Sequence, residues 1–500
     1  MLDIFVGFQQ ALTPGAIIAC AIGTALGIIF GSLPGLTAAM GVALLIPLSF
    51  GMPTVEAFSM LLGMYCGAIY GGCISAILVG TPGTVAAAAT VLEGPKLTAK
   101  GQSLKALDMA TWASFIGGML SGLALLGCAP LLAMAAMKFG AAEYFALSVF
   151  ALTVVASFSS GNMVKGIAAA FAGLFISTIG IDPISGDFRN TFNLPNLFNG
   201  VSLVPALVGL FAVSQVILSL EDIFKGQYNI VKYGQVSKKG LSLKELWKEK
   251  INLLRSSALG TIIGIIPATG ASAACFIAYG EAKRFSKTPE AFGTGTLEGI
   301  AATESSNNAV TGGALIPMMV LGVPGDVLTA ILLGALMIQG LVPGPLLFSN
   351  HSEVVSGIFA SFFVAQVVML ILGLIAVRIA GKIVNVPTPI LLPLVLTLCA
   401  IGSYATNNLS FDLWIMFVFG FVGYLMLKAD IPQPPMLLAI ILGPIAESNF
   451  RRTLEISRND LSVFITSPIA AIILIVSIII VIKVGYDEYR KNKATKNITH

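Results

Sequence analysis

The chain has 500 residues, of which 56% are apolar and 10% charged, with 28 Lys and Arg against 24 Asp and Glu. One charged residue in ten, against roughly one in four in soluble domains, excludes a water-soluble globule. At about 20 consecutive apolar positions per crossing, such a composition supplies on the order of a dozen membrane spans.

Met1 to Thr13 carries Asp3 but no Lys or Arg, so the first apolar run is read as structure and not as a cleaved signal. Apolar runs then follow at Ala16 to Leu33, Ala38 to Phe50, Ala57 to Val79, Ala106 to Met137, Ala146 to Phe158, Gly166 to Ile181, Leu203 to Leu220 and Ala258 to Ala278. They continue at Asn308 to Val323, Leu328 to Leu347, Val354 to Ile379, Ile390 to Ser403, Leu413 to Leu427, Met436 to Ile445 and Val463 to Val484. Several are too short to cross a bilayer core of about 30 Å at 1.5 Å per residue, so they must break, pair or turn back. The expected fold is all-α: a polytopic transmembrane helical bundle of about 12 spans with re-entrant or broken helices.

Between Glu221 and Arg255 eight basic residues face four acids, which the positive-inside bias places in the cytoplasm. The expected organisation is a first membrane half (1–220), a basic linker (221–256), a second membrane half (257–484) and a cytoplasmic tail (485–500). The net charge of +4 falls in membrane-flanking loops, which reports topology and argues against nucleic acid as a partner. His351, His500 and six cysteines without Cys-x-x-Cys spacing offer almost no zinc or haem ligands, so neither a metal site nor a cofactor is expected.

The two halves repeat a pattern. Gly27-x3-Gly31-x2-Pro34 recurs as Gly260-x3-Gly264-x2-Pro267, and Gly71-Gly72 before Pro82-Gly83 recurs as Gly312-Gly313 before Pro324-Gly325. Corresponding loops carry opposite charge signals. Ser49 to Ala57 has only Glu56, while Glu281 to Glu298 has Lys283, Arg284 and Lys287; Lys96, Lys100 and Lys105 have no counterpart in Gly340 to Glu353. The repeats are therefore expected to be inverted.

Pro and Gly in apolar runs free backbone N–H and C=O groups, which hydrocarbon tolerates only against protein or a water-filled cavity. Four breaks in two related pairs point to one lined cavity near the membrane midplane. Candidate solute-binding residues are Pro34, Gly35, Thr37, Thr81, Gly83 and Thr84 in the first half, and Thr269, Gly270, Ser272, Asn307, Asn308 and Gly325 in the second. Thr84 and Asp326 are of N-cap type; a half-helix starting at each would aim its positive end at a carboxylate. The polar run from Glu304 to Gly313 suits Na+ or a carboxylate's donors. Ser306, Thr311, Asp326 and Thr329 are the candidates for ion coupling, with Asp326 alternatively a plain helix cap. Glu304 is a further candidate by the cost of an intramembrane carboxylate. Asp182, Arg189, Arg451, Arg452 and Asn407 read as loop residues or snorkelling anchors.

Gly-Ser-Leu-Pro-Gly-Leu-Thr (31–37), Tyr-Gly-Gly (70–72) leading to Thr-Pro-Gly-Thr (81–84), Asn-Asn-x2-Thr-Gly-Gly-Ala-Leu-Ile-Pro (307–317), Leu-Gly-Val-Pro-Gly-Asp (321–326) and Gly-Leu-Val-Pro-Gly-Pro-Leu-Leu-Phe (340–348) occur along the chain. With these motifs the sequence resembles the large membrane subunit of the tripartite tricarboxylate transporters over nearly its whole length. The resemblance implies a secondary transporter of the bacterial inner membrane, driven by an Na+ or H+ gradient. It implies a periplasmic solute-binding protein and a small membrane subunit as partners, and a carboxylate as substrate. Gly80 stands where the family commonly has Asn, and Glu93 where it commonly has Asp. The residues alone also admit an intramembrane enzyme using Glu304 and Asp326, or a channel. No nucleophile with a His partner supports the enzyme, and catalytic residues are not expected.

Overall fold

The structure is a computed structural model that describes residues 3–33, 36–156, 163–182, 185–226, 240–267, 270–383 and 388–498. Pro34, Gly35 and Thr269 lie outside the described residues. The described chain is almost entirely helical, its one sheet being the two-residue pairing of Gly180–Ile181 with Phe188–Arg189. Among the described residues six helices are long and apolar enough to cross a membrane, including Pro14–Ser32, Thr54–Val79 and Ser103–Ala136, and six apolar ones are shorter. The chain is a polytopic helical membrane protein, as its composition requires.

Each half opens with a hairpin of two arms. Thr13 caps the Pro14–Ser32 arm, its hydroxyl accepting from Ala16 N at 3.3 Å, and Pro14 occupies the first turn, where no N–H is needed. After the interruption Thr37 starts the Ala38–Ser49 arm, accepting from Met40 N at 3.0 Å. A Cβ on Gly23, Gly27 or Gly31 would sit 2.0, 2.5 and 2.2 Å from the carbonyl oxygens of Met60, Met64 and Ala68. Glycine at this four-residue spacing lets the two backbones touch, and the rising order on both sides makes the arm parallel to the Thr54–Val79 helix. Ala38–Ser49 then runs back toward the loop before Thr54, so the hairpin re-enters.

The second half repeats this. Gly260 and Gly264 of Lys250–Ile265 meet the carbonyls of Ser306 and Val310 in Leu297–Leu321, and Gly270–Phe285 is the return arm. Sequence spacing pairs Gly71-Gly72 with Gly312-Gly313, but packing shifts that register by one. A Cβ on Gly71 would lie 3.2 Å from Gly31 Cα, and one on Gly313 3.1 Å from Gly264 Cα. Gly71 therefore corresponds to Gly313, and each stands twelve residues before the glycine of its Pro-Gly. The long helices end alike, in left-handed Gly80 (φ 74°) and Gly322 (φ 70°), against which Pro95 and Pro343 pack.

The two copies point in opposite directions. Gln339, which follows the second half's last interruption, donates to Ser49 O at 3.0 Å beside Thr54, at the start of the Thr54–Val79 helix. Glu93, beyond the far end of that helix, is bound by the loop that precedes Leu297. The segment after each Pro-Gly thus reaches the face from which the other half's hairpin enters: Val327–Ile338 packs on Ala38–Ser49, and Val85–Ala87 on Gly270–Phe285.

Asp182, Arg189 and Arg451, which run-end position alone reads as loop or anchor residues, instead form one ion-pair cluster with Glu447. Arg189 Nη1 lies 2.7 Å from Glu447 Oε1, and Arg451 Nη1 lies 3.0 Å from Asp182 Oδ2.

Candidate functional site

Residues from all four interruptions line one cavity of about 440 Å³. Thr37 comes from the first, Pro82, Gly83 and Thr84 from the second, Gly270 and Ser272 from the third and Asp326 from the fourth, with Ile69, Val85, Ala86 and Leu328 among the apolar residues of the wall. Hollows of about 700 and 740 Å³ are larger, but neither takes residues from these interruptions. Most of the 440 Å³ cavity is apolar, and among its described lining residues Asp326 alone is charged.

Asp326 is first a helix cap. Its Oδ1 accepts from Thr329 N at 2.7 Å and from Thr329 Oγ1 at 2.8 Å, and its backbone N donates to Thr329 Oγ1 at 2.9 Å, closing a reciprocal capping box on Val327–Ile338. Its Oδ2 accepts from Tyr65 Oη at 2.8 Å. Thr329 is fully occupied in this box. Sequence reasoning missed Tyr65; the signal was a tyrosine in mid-span, whose hydroxyl needs a partner once buried.

The half-helix expected after the first Pro-Gly does not form, whereas the one after the second does, with Asp326 as its cap. Thr84 starts no α-helix: the chain passes into the 3-10 turns Val85–Ala87 and Ala89–Leu92, and Thr84 makes no capping bond. A run of alanines followed by Thr90, Val91 and the Glu93-Gly94-Pro95 stop is too short to propagate a helix against that break. The Thr84 hydroxyl is left buried without a partner. In the second half a helix does begin, but its free amide end is occupied by the Asp326 carboxylate, which would repel an anion.

The other candidates divide. Thr81 is exposed and does not line the cavity. Gly325 is buried, its Cβ position 2.6 Å from Ala314 Cβ and 2.9 Å from Gly264 O, so it serves close packing. Ser306, Asn307, Asn308 and Thr311 are fully or almost fully buried in Leu297–Leu321, outside the cavity wall. Thr311 Oγ1 donates to Asn308 O at 2.6 Å, while both amide atoms of Asn307 and of Asn308 and the hydroxyl of Ser306 make no hydrogen bond. Glu304, on the same helix, is fully buried and accepts from the Thr90 hydroxyl.

The segment Pro82–Glu93 joins these features. Pro82 to Ala86 wall the cavity, the Cys275 thiol donates to Ala86 O at 3.1 Å, and Thr90 reaches Glu304. Glu93 accepts from Gly293 N, from Gly295 N at 2.7 Å, from Thr296 N at 2.9 Å and from Tyr279 Oη at 2.7 Å. Neither Thr90 nor Glu93 stands out as a site residue in the sequence, because their partners lie about 200 residues away.

An inverted duplication of interrupted helices closing around a cavity inside a membrane bundle defines a carrier-type membrane protein. The profile of the tripartite tricarboxylate transporter TctA family matches residues 17–438, and the chain belongs to that family. It is 36% identical over 480 residues, 96% of this chain and 95% of the relative, to an uncharacterised 52.8 kDa protein in the TAR-I ttuC' 3' region of Agrobacterium vitis. It is also 36% identical over 223 residues, 45% of this chain and 92% of the relative, to an uncharacterised protein in the TAR-II ttuC' 3' region of the same organism. No solved structure matches the chain. The protein is a membrane subunit of a transporter, and the family's general architecture implies a solute-binding protein and a small membrane subunit alongside it.

Proposed function

We propose that the chain is the permease of a secondary active, binding-protein-dependent importer in the bacterial inner membrane, carrying a carboxylate through the cavity between the interruptions. The observation that carries this reading is that all four interruptions contribute to one cavity. Membership of the TctA family supports the carboxylate and the two partner proteins.

Thr37, Thr84 and Ser272 would supply hydroxyl donors, and the relaxed backbone at Gly270 would add an amide donor. Asp326 sets a condition on this chemistry. A carboxylate cannot share a largely apolar cavity with the Asp326 carboxyl, among described lining residues that include no Lys or Arg, unless a positive charge enters as well. Import coupled to Na+ or H+ meets that condition, and it is why coupling is part of the proposal.

The test is uptake of labelled mono-, di- and tricarboxylates into liposomes holding this chain with its partner proteins, with and without an imposed sodium or proton gradient. Saturable uptake that follows one gradient supports the carrier. Flux that does not saturate supports a channel, and product formation an enzyme.

A further inference from the structure

Glu304 is fully buried, and among the described residues no Lys, Arg or His pairs with it. Oε1 accepts from the Thr90 hydroxyl, and Oε2 has no partner. Asn307 and Asn308, three and four positions on, share its helix face, and Ser114 approaches from Ser103–Ala136. Asn307 and Ser114 lie close enough to act on the carboxylate, yet neither their polar side-chain atoms nor those of Asn308 complete a hydrogen bond. The other titratable groups facing it are Tyr70 and Cys73 of Thr54–Val79 and Cys275 of Gly270–Phe285, none of them a cation. Asp108, two turns before Ser114, is engaged elsewhere, accepting from Leu241 N at 3.1 Å.

A lone carboxylate among unpaired amide and hydroxyl oxygens is strongly unfavourable in a dry interior unless a positive charge joins it. Amide and hydroxyl oxygens beside one carboxylate are also the hard, weakly charged set that a monovalent cation accepts in exchange for its water. We propose that this chamber is a monovalent-cation site: Glu304 supplies the charge, and the side-chain oxygens of Asn307, Asn308 and Ser114 supply neutral ligands. The occupant is a sodium ion or, bringing the same single charge to the carboxylate, a proton.

The inference rests on the carrier reading only for its purpose, which is coupling. Thr90 connects chamber and cavity. Its hydroxyl donates to Glu304, four residues after Ala86 in the cavity wall, and Thr303 lies 3.0 Å from the same oxygen. Neutralising Glu304 turns a charge-assisted bond into an ordinary one and loosens Pro82–Glu93 at Thr90.

The test uses the purified full-length chain in detergent and no substrate, so it is independent of whether uptake is ever observed. Thermal unfolding is followed while sodium chloride replaces choline chloride at constant ionic strength, and separately while pH is lowered without sodium. The wild type should gain stability saturably in one arm: the sodium arm identifies the ion, the acid arm the proton. Glu304→Gln should lose that response, and Glu290→Gln, an exposed control, should keep it. Asn308→Ala and Ser114→Ala retain the carboxylate, and should shift the midpoint of the responding arm at least about threefold. They decide the matter if Glu304→Gln does not fold. A wild type flat in both arms, an unchanged response in Glu304→Gln, or unmoved midpoints in both alanine variants would overturn the site.

Discussion

The carbonyl oxygen of Gly31 lies 1.9 Å from the point a Cβ on Gly83 would occupy, so the tip of the first hairpin and the first Pro-Gly break are in backbone contact. The second half repeats the contact between Gly264 and Gly325, at 2.9 Å. These paired approaches hold the interruptions at one depth.

Gly83→Ala should therefore destabilise the protein by about 1–3 kcal/mol or more, because backbone must move to admit the methyl group. Gly280→Ala, in a helix with no atom within 4 Å of its Cβ position, should be neutral or stabilising by up to about 1 kcal/mol. Thermal unfolding of both variants in one detergent measures the contrast. Equal behaviour would show that the close approach is not required.

Asp326 separates capping from charge. Asn is as good an N-cap as Asp, so Asp326→Asn should hold stability within about 0.5 kcal/mol, whereas Asp326→Ala should cost about 0.5–2 kcal/mol for the cap and strand the Tyr65 hydroxyl. If uptake by Asp326→Asn keeps its full ion dependence, the carboxylate is a cap and nothing more.

How much of this was readable beforehand follows from which interactions are local. Composition and run length dictated a helical membrane bundle, and the recurrence of Gly27-Gly31-Pro34 at 260–267 exposed the duplication, because glycine spacing along one helix is a local signal. The opposite loop charges correctly reported inversion. The spacing of Gly71-Gly72 misled by one residue, since register is set by which glycine faces Gly31, a property of packing. Thr84 looked like a second helix start, but the run behind it is too short for a helix. Tyr65 with Asp326, Thr90 with Glu304 and Glu93 with residues 293–296 join distant parts of the chain, and no spacing rule reaches that far.

Glu93 is a charged latch between the halves on the basic face, and Gln339 its neutral counterpart on the other. Glu93→Gln presents an amide donor to backbone N–H groups that need acceptors, so it should destabilise by about 1–3 kcal/mol and speed amide exchange at Gly295 and Thr296. Gln339→Ala should cost less, about 0.5–1.5 kcal/mol. Hydrogen exchange resolved by mass spectrometry compares the two; unchanged exchange at residues 293–296 in Glu93→Gln would refute the latch.

The linker helix Leu243–Lys248 docks through Glu245 on Lys105. That lysine, helped by the amide and hydroxyl of Ser242, holds the Glu245 carboxyl down at about 2. A carboxyl depressed in the folded state contributes stability above its ordinary value near 4.3, and loses it as pH falls toward 2. Docking should thus be constant from neutral pH to about 5 and weaken below about 4, with a contribution of only about 0–1 kcal/mol because the pair is partly exposed. Protease sensitivity of the linker against pH tests this, and Lys105→Ala should weaken the dependence, leaving the part that the Ser242 amide and hydroxyl supply.

The most direct test of the central claim, that interruptions from both halves enclose one solute site, is paired protection. In a Cys128→Ser background, which removes the one exposed native cysteine among the described residues, Thr84→Cys and Ser272→Cys are reacted separately with a hydrophilic thiol reagent while candidate carboxylates are titrated. One shared cavity predicts that both positions react, and that the same carboxylate protects both with the same concentration dependence. Protection of one position without the other, or of neither by a carboxylate that the transporter imports, would contradict it.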